Sequence, residues 1–183
     1  RLSKVMQPSD NTLTICLIEL NNFKEVNDSL GYAAGDELLT MVANQIREYA
    51  QNQTFIARMG GDEFALFIYG DMPIETRVPY LVRLLDELKP TVFHADPAHR
   101  VRVSMGISQH PITAHKIEEL ILFADIALAN AKKLKENHLQ MFNHRMFEHY
   151  SRNRKLAAEL REELDVIANS TLYLHYQPVI KPG

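Results

Sequence analysis

Two apolar runs, Thr54 to Arg58 and Phe64 to Tyr69, close on the short segment Met59-Gly60-Gly61-Asp62-Glu63. A Gly-Gly pair between strand-like runs predicts a β-hairpin. The tight turns that suit twisted strands can need positive φ at both central positions, and glycine adopts it freely. The tip is then bare backbone, open to close approach by a ligand. Asp62 and Glu63 follow where the ladder begins, exposed at the sheet edge, which is a place for a metal ion. An ordinary solvated hairpin has the same composition, so the spacing alone leaves both readings open.

A chain of 183 residues holds one domain with a sizeable core and some additional structure. Apolar residues at 46% and charged residues at 23% are those of a globular protein. A formal charge of −3 leaves no basic footprint, which argues against duplex nucleic acid as a partner. No apolar run approaches membrane-spanning length and the N-terminus is not signal-like, so a cytoplasmic location without membrane contact by this stretch is expected. The single Cys16 lies inside an apolar run and reads as a buried thiol. The eight histidines show no metal-binding pair spacing such as H-E-x-x-H.

Thr12 to Leu20 is nearly continuous apolar sequence, the pattern of a central strand buried on both faces, and Glu19 stands at its exit. That acid is either a surface carboxylate or a ligand held on a rigid element. Asn21 to Gly31 reads as a short helix with asparagine at its start and glycine past its end. Asn21 or Asn22 serves as an N-cap, and the free amides of such a helix start also suit phosphate, with Lys24 adding charge. A glycine-rich loop, Gly31 to Asp36, leads into a helix from about Asp36 to Tyr49 whose apolar face is Leu38, Leu39, Val42, Ala43 and Ile46. Asp36 reads equally as a helix-start acid favoured by the dipole and as a base-reading residue.

Ile74 to Leu88 repeats the helical pattern through Val78, Leu81, Val82, Leu85 and Leu88. Arg100 to Ile107 alternates as a strand with one face on the core. Ile117 to Lys135 is an amphipathic helix with alanine where it packs closely (Ala124, Ala127, Ala129, Ala131), and Lys132 follows that face. His138 to Phe142 closes as a short strand. The elements predict an α/β (α+β) layer with a mixed sheet flanked by helices. Arg145 to Ile167 is a long charged helix with a Leu156, Leu160, Leu164 stripe that suits a seam against the parent domain or a partner helix. Leu172 to Ile180 is strand-like. The expected division is a domain over 1–143, a linker helix over 144–169 and the start of a further domain over 170–183.

Gly60-Gly61-Asp62-Glu63-Phe64, with Arg58 before it, resembles the signature of the GGDEF family, the diguanylate cyclases of bacterial second-messenger signalling. The resemblance extends over about residues 12 to 142 and implies a fold like the palm of nucleotidyl cyclases and polymerases. It implies condensation of two GTP molecules into cyclic di-GMP by a homodimer, with Mg²⁺ or Mn²⁺ as cofactor. Glu19, the Leu20 carbonyl and Asp62 would hold the metal, and Glu63 would polarise the attacking hydroxyl. Asn22, Phe23 and Lys24 fall on the phosphate-cradling helix start, Asn27 and Asp36 on the guanine-reading pair, and Lys132 on the phosphate-binding lysine. Leu172 to Ile180 is similar to the opening strand of an EAL phosphodiesterase domain, and an upstream sensor is implied as well.

The chain departs from the family pattern at several positions. Glu19 stands where aspartate is usual, Asn21 where a second acid is usual, Ala129 for tyrosine, and Glu136 for an arginine four residues after Lys132. The family's product-inhibition pair would fall on Gln51 and Thr54, neither charged, so feedback inhibition through that site is not expected. These departures leave a second expectation beside the cyclase: a GTP-binding domain of weak or absent activity that regulates an adjacent EAL phosphodiesterase. A third is a dimerising scaffold built on the helix over 145–167.

Overall fold

The computed structural model describes residues 12–50, 54–70, 74–88, 102–134 and 138–167. The chain divides into two compact units, Arg1–Phe147 and Glu148–Gly183. The expectations at Gln51, Glu136 and the segment 170–183 lie outside the described residues.

In the first unit the order is β1 (Leu13–Asn21), α1 (Phe23–Leu30), α2 (Tyr32–Tyr49), β2 (Thr54–Gly60), β3 (Glu63–Tyr69), α3 (Ile74–Leu88), β4 (Arg102–His110), α4 (Ile117–Ala131) and β5 (His138–Met141). The strands form one sheet in the order β2-β3-β1-β4-β5. β1 runs antiparallel to both β3 and β4, the hairpin β2–β3 is antiparallel, and β4 with β5 is parallel, which makes the sheet mixed. β1 is central and the hairpin forms one flank, with β2 outermost.

Alternation along β1 sorts the layers. Cys16, Ile18 and Leu20 join Leu66, Leu38, Val42 and Leu84 in a core beneath α1, α2 and α3. Leu13 and Ile15 point the other way, where they meet Phe67, Leu120 and Ala124 under α4. Burial lifts the Cys16 thiol to about 12 because nothing near it compensates the lost hydration of a thiolate, and it stays neutral as expected. At Gly106 on β4 an added Cβ would strike the backbone of Ala124 and Leu128, so the absent side chain is what lets α4 lie flat on the sheet.

Several sequence expectations need correction. β4 is buried on both faces instead of one, because α4 covers the side that carries Ser104, Gly106 and Ser108. Small polar residues fit beneath a helix when bonded, and Ser108 Oγ donates to the Leu120 carbonyl at 2.6 Å. In α3, Val82 is exposed while Leu84 and Arg77 are buried, so the inward stripe is turned from the one that apolar spacing indicated. Ala129 of α4 is exposed. Arg77 is fully buried; its guanidinium donates to Thr14 Oγ1 at 2.9 Å, the Ile68 carbonyl at 2.6 Å, Thr12 Oγ1 at 3.0 Å and the Gly70 carbonyl. It ties the start of β1 to the end of β3.

α5 (His144–Ile167) carries the described part of the second unit. Leu156, Leu160 and Leu164 are all exposed, and Lys155 pairs with Glu159 one turn on at 3.8 Å.

Candidate functional site

The hairpin forms where the glycine pair places it, but only Gly61 has positive φ, at 49°. A register shift between Arg58 and Gly60 bulges the strand at Met59, so the turn is reached without a left-handed Gly60. A Cβ at either glycine would meet nothing within 4 Å. Gly60 is therefore free of any internal steric demand, and the space over the tip is open for a ligand. Arg58 fixes the turn from below: its Nε and Nη2 donate to the Gly61 carbonyl at 3.0 and 2.6 Å.

β1 brings its acid to this tip. Glu19 lies opposite Glu63 in the β1–β3 register, and the Leu20 amide donates to the Asp62 carbonyl at 3.3 Å. In antiparallel pairing a residue's amide and carbonyl leave the strand on the same side, so the Leu20 carbonyl also faces the hairpin turn. The carboxylate directly across from Glu19 is that of Glu63, while Asp62 occupies the turn beside Leu20. Glu19 follows Leu13 and Ile15 on the α4 side of the sheet. There Lys132, at the C-cap of α4, reaches it: Nζ lies 2.6 Å from Oε1, with the lysine side chain 44% exposed and the glutamate 16%. Glu19, Leu20, Asp62, Glu63 and Lys132 thus come together at one strand end.

Of the two cap candidates, Asn22 takes the N-cap position, without the side-chain bond that a capping asparagine usually makes. Its φ of 65° is left-handed, a conformation asparagine tolerates. Asn21 ends β1, and its Nδ2 donates to Ser104 Oγ on β4 at 2.8 Å. Its Oδ1 is buried without a hydrogen-bond partner. The sharp turn at Asn22 leaves Phe23 half-buried against the core and Lys24 exposed at the head of α1.

Asp36 is not at a helix start. α2 begins at Tyr32, because Gly31 at φ 86° reverses the chain in a single residue, so Asp36 sits in the second turn and Gly35 inside the helix. A Cβ on Gly35 would collide with Asn27 Oδ1 and press on the Phe23 ring. The bare glycine thereby brings the Asn27 amide against the residue preceding Asp36. A cleft of about 410 Å³ between α2 and the hairpin is rimmed by Asp36, Thr40, Arg47 and Arg58 over an apolar floor that includes Leu39 and Phe64. Phe64 belongs to the core under α1–α3, so cleft and acids flank the same strand end from opposite sides.

The donor set fits a hard cation. Carboxylates and a carbonyl are the oxygen ligands Mg²⁺ takes, and Mg²⁺ is usually bound by one or two carboxylates with phosphates completing the shell. Among the described residues no group of three or more His, Cys, Asp and Glu is placed to hold a metal ion. Three residues here received no role from the sequence. Arg58 was visible beside the glycines, Arg47 looked like any helix-end base, and Ser104 was hidden as the polar half of an alternating strand.

Residues 1–138 match the family model described as diguanylate cyclase, GGDEF domain. The cyclic di-GMP phosphodiesterase NbdA of Pseudomonas aeruginosa is 30% identical over 169 residues, which are 92% of this chain and 21% of that protein. The bifunctional diguanylate cyclase/cyclic di-GMP phosphodiesterase MucR of the same organism is 32% identical over 98% of this chain and 26% of its own length. The chain therefore spans about a quarter of each of these relatives. Among solved structures, an EAL/GGDEF domain protein from M. capsulatus superposes with a TM-score of 0.68 at 32% identity, over 78% of this chain and 94% of the other. With the family model covering β1 to β4, and so the hairpin and the acid-bearing strand together, the chain belongs to the GGDEF diguanylate cyclase family.

Proposed function

We propose that this chain condenses two GTP molecules into cyclic di-GMP, releasing two pyrophosphates, with one nucleotide bound by each of two domains set face to face. Each 3′-hydroxyl loses its proton and attacks the α-phosphorus of the other nucleotide, and the α–β phosphoanhydride bond breaks. Phosphoryl chemistry of this kind asks the protein mainly for positioning and charge neutralisation. Asp36 accepts from the N1 and N2 hydrogens of guanine and Asn27 supplies the complementary group, a pairing adenine cannot return. Asn22, Phe23 and Lys24 cradle phosphate at the head of α1, and Lys132 neutralises phosphate from the α4 side. Glu63 orients the attacking hydroxyl. Glu19, the Leu20 carbonyl and Asp62 would hold Mg²⁺ or Mn²⁺, which supplies Lewis-acid stabilisation of the developing charge when bound.

The observation that carries this reading is the arrival of Glu19, Glu63, Lys132 and the Asp62 turn at the β1 exit, beside the cleft rimmed by Asp36. Incubating the chain at high concentration with GTP and Mg²⁺ and resolving the products tests it. Cyclic di-GMP with pyrophosphate is the expected result, and unchanged GTP overturns it.

A second reading is a GTP-binding domain that controls an adjacent EAL phosphodiesterase without turnover. Asn21 favours it: where the family usually has an acid, this amide is neutral and engaged by Ser104. GTP bound but not consumed in the same assay selects this reading. On either reading we place the catalytic-type domain at 1–143, a linker helix at 144–169 and the beginning of an EAL domain at 170–183, acting in the cytoplasm below an upstream sensor.

A further inference from the structure

The ridge of α2 that lines the cleft passes through Asp36, Thr40 and Arg47. One turn before Asp36 the same ridge carries Tyr32, the first residue of the helix, which is 78% exposed. No large apolar or aromatic side chain among the described residues is more exposed. A lone aromatic in water is unremarkable in itself, but this one comes one turn before a residue that lines the cleft. Residues four apart on a helix stack on one face, so Tyr32 and Asp36 share a side of α2. Gly31 fixes the ring's place, since the one-residue reversal there sets the start of α2 against the end of α1, the helix that carries Asn27.

Asp36 and Asn27 have polar groups to offer only to the edge of a base. The two faces of a purine ring need apolar cover, and the cleft lining offers Leu39 and Phe64 while the exposed Tyr32 ring has no apolar cover of its own. We propose that Tyr32 is a further base-binding residue, its ring stacking on the outer face of the guanine whose edge Asp36 reads. The inference rests on the assignment of Asp36 to the base. Every nucleobase presents a π face, so the stack adds affinity for the base while discrimination stays with the carboxylate.

The chain contains no tryptophan, so Tyr32→Trp introduces the sole indole and reports directly on stacking. Its emission is expected to change on titration with GTP and to stay constant with inorganic triphosphate. Calorimetry on Tyr32→Ala is expected to show GTP bound about 10-fold more weakly with triphosphate binding unchanged, while Tyr32→Phe binds GTP as the parent does. Parent-like GTP affinity in Tyr32→Ala, or equal losses for GTP and triphosphate, overturns the inference. Asp36→Ala, titrated with GTP and ATP, separates the two ideas. If it leaves the preference for GTP intact while the indole still responds, the Asp36 assignment fails and the stacking residue stands. If it abolishes the preference and Tyr32→Ala is neutral, the reverse holds.

Discussion

A contact of 2.6 Å between Lys132 Nζ and Glu19 Oε1 joins the residue proposed for phosphate to one proposed for the metal. Glu19 and Glu63 face each other across adjacent strands, and directly opposed like charges repel, so the ammonium paired with Glu19 offsets part of that repulsion. Lys132→Met should therefore act with opposite sign on two ligands. Mn²⁺ alone, followed by electron paramagnetic resonance, should bind about 2- to 5-fold tighter, the scale of a partly exposed ion pair, while GTP binds more weakly. Lys132→Arg should resemble the parent in the Mn²⁺ titration, and equal Mn²⁺ affinity in all three would remove the counter-charge role. The identity of these groups was legible in the sequence because the hairpin pentad and the strand-end acid stand in short, ordered motifs. Their pairing was not. Which carboxylate faces Glu19 depends on the β1–β3 register, and the 113-residue separation of Glu19 from Lys132 carries no local signal.

Two glycines make different kinds of close approach, and their replacement should separate folding from binding. Gly106→Ala drives a Cβ into the α4 backbone, which cannot rotate away, and should lower stability by at least about 2 kcal/mol in urea unfolding. Gly35→Ala meets instead the amide tip of Asn27 and the rim of Phe23, side chains that can move. Its unfolding midpoint should shift less, while the preference for GTP over ATP falls because Asn27 is turned out of place. Equal destabilisation by the two substitutions would contradict this division. Periodicity found all of these elements; what it mistook were their edges and faces. α2 starts four residues earlier than its polar beginning indicated, since Tyr32-Ala33-Ala34 is a competent first turn once Gly31 has reversed the chain. β4 was read as half-exposed because serines look solvent-facing in sequence, and only a helix lying on Gly106 makes that face an interior. Arg77 was passed over for the opposite reason, being a charge whose bonding partners are scattered over β1 and the end of β3.

For the molecule as a whole, the proposed function with one nucleotide per domain would make turnover a property of pairs. Cyclic di-GMP formed per chain should fall as the protein is diluted, while GTP bound per chain at saturating nucleotide stays constant; turnover independent of dilution would remove the requirement for a pair. On that reading the exposed leucines of α5 would give the pairing a place to begin, and replacing Leu156, Leu160 and Leu164 by serine should steepen the dilution dependence without altering nucleotide affinity. The layered architecture was legible because alternating strands and amphipathic helices leave few ways to cover both sides of a sheet. One buried cation adds a constraint of its own. A slip of β1 against β3 by a single residue would turn every side chain over and send Glu19 into the hydrocarbon beneath α1. Arg77 grips Thr12, Thr14, Ile68 and Gly70 together, so that slip would have to tear a guanidinium from all of its oxygens at once. The alignment of the acids is thus guarded from the far end of the strands, by a residue whose grip lies at the end opposite to them.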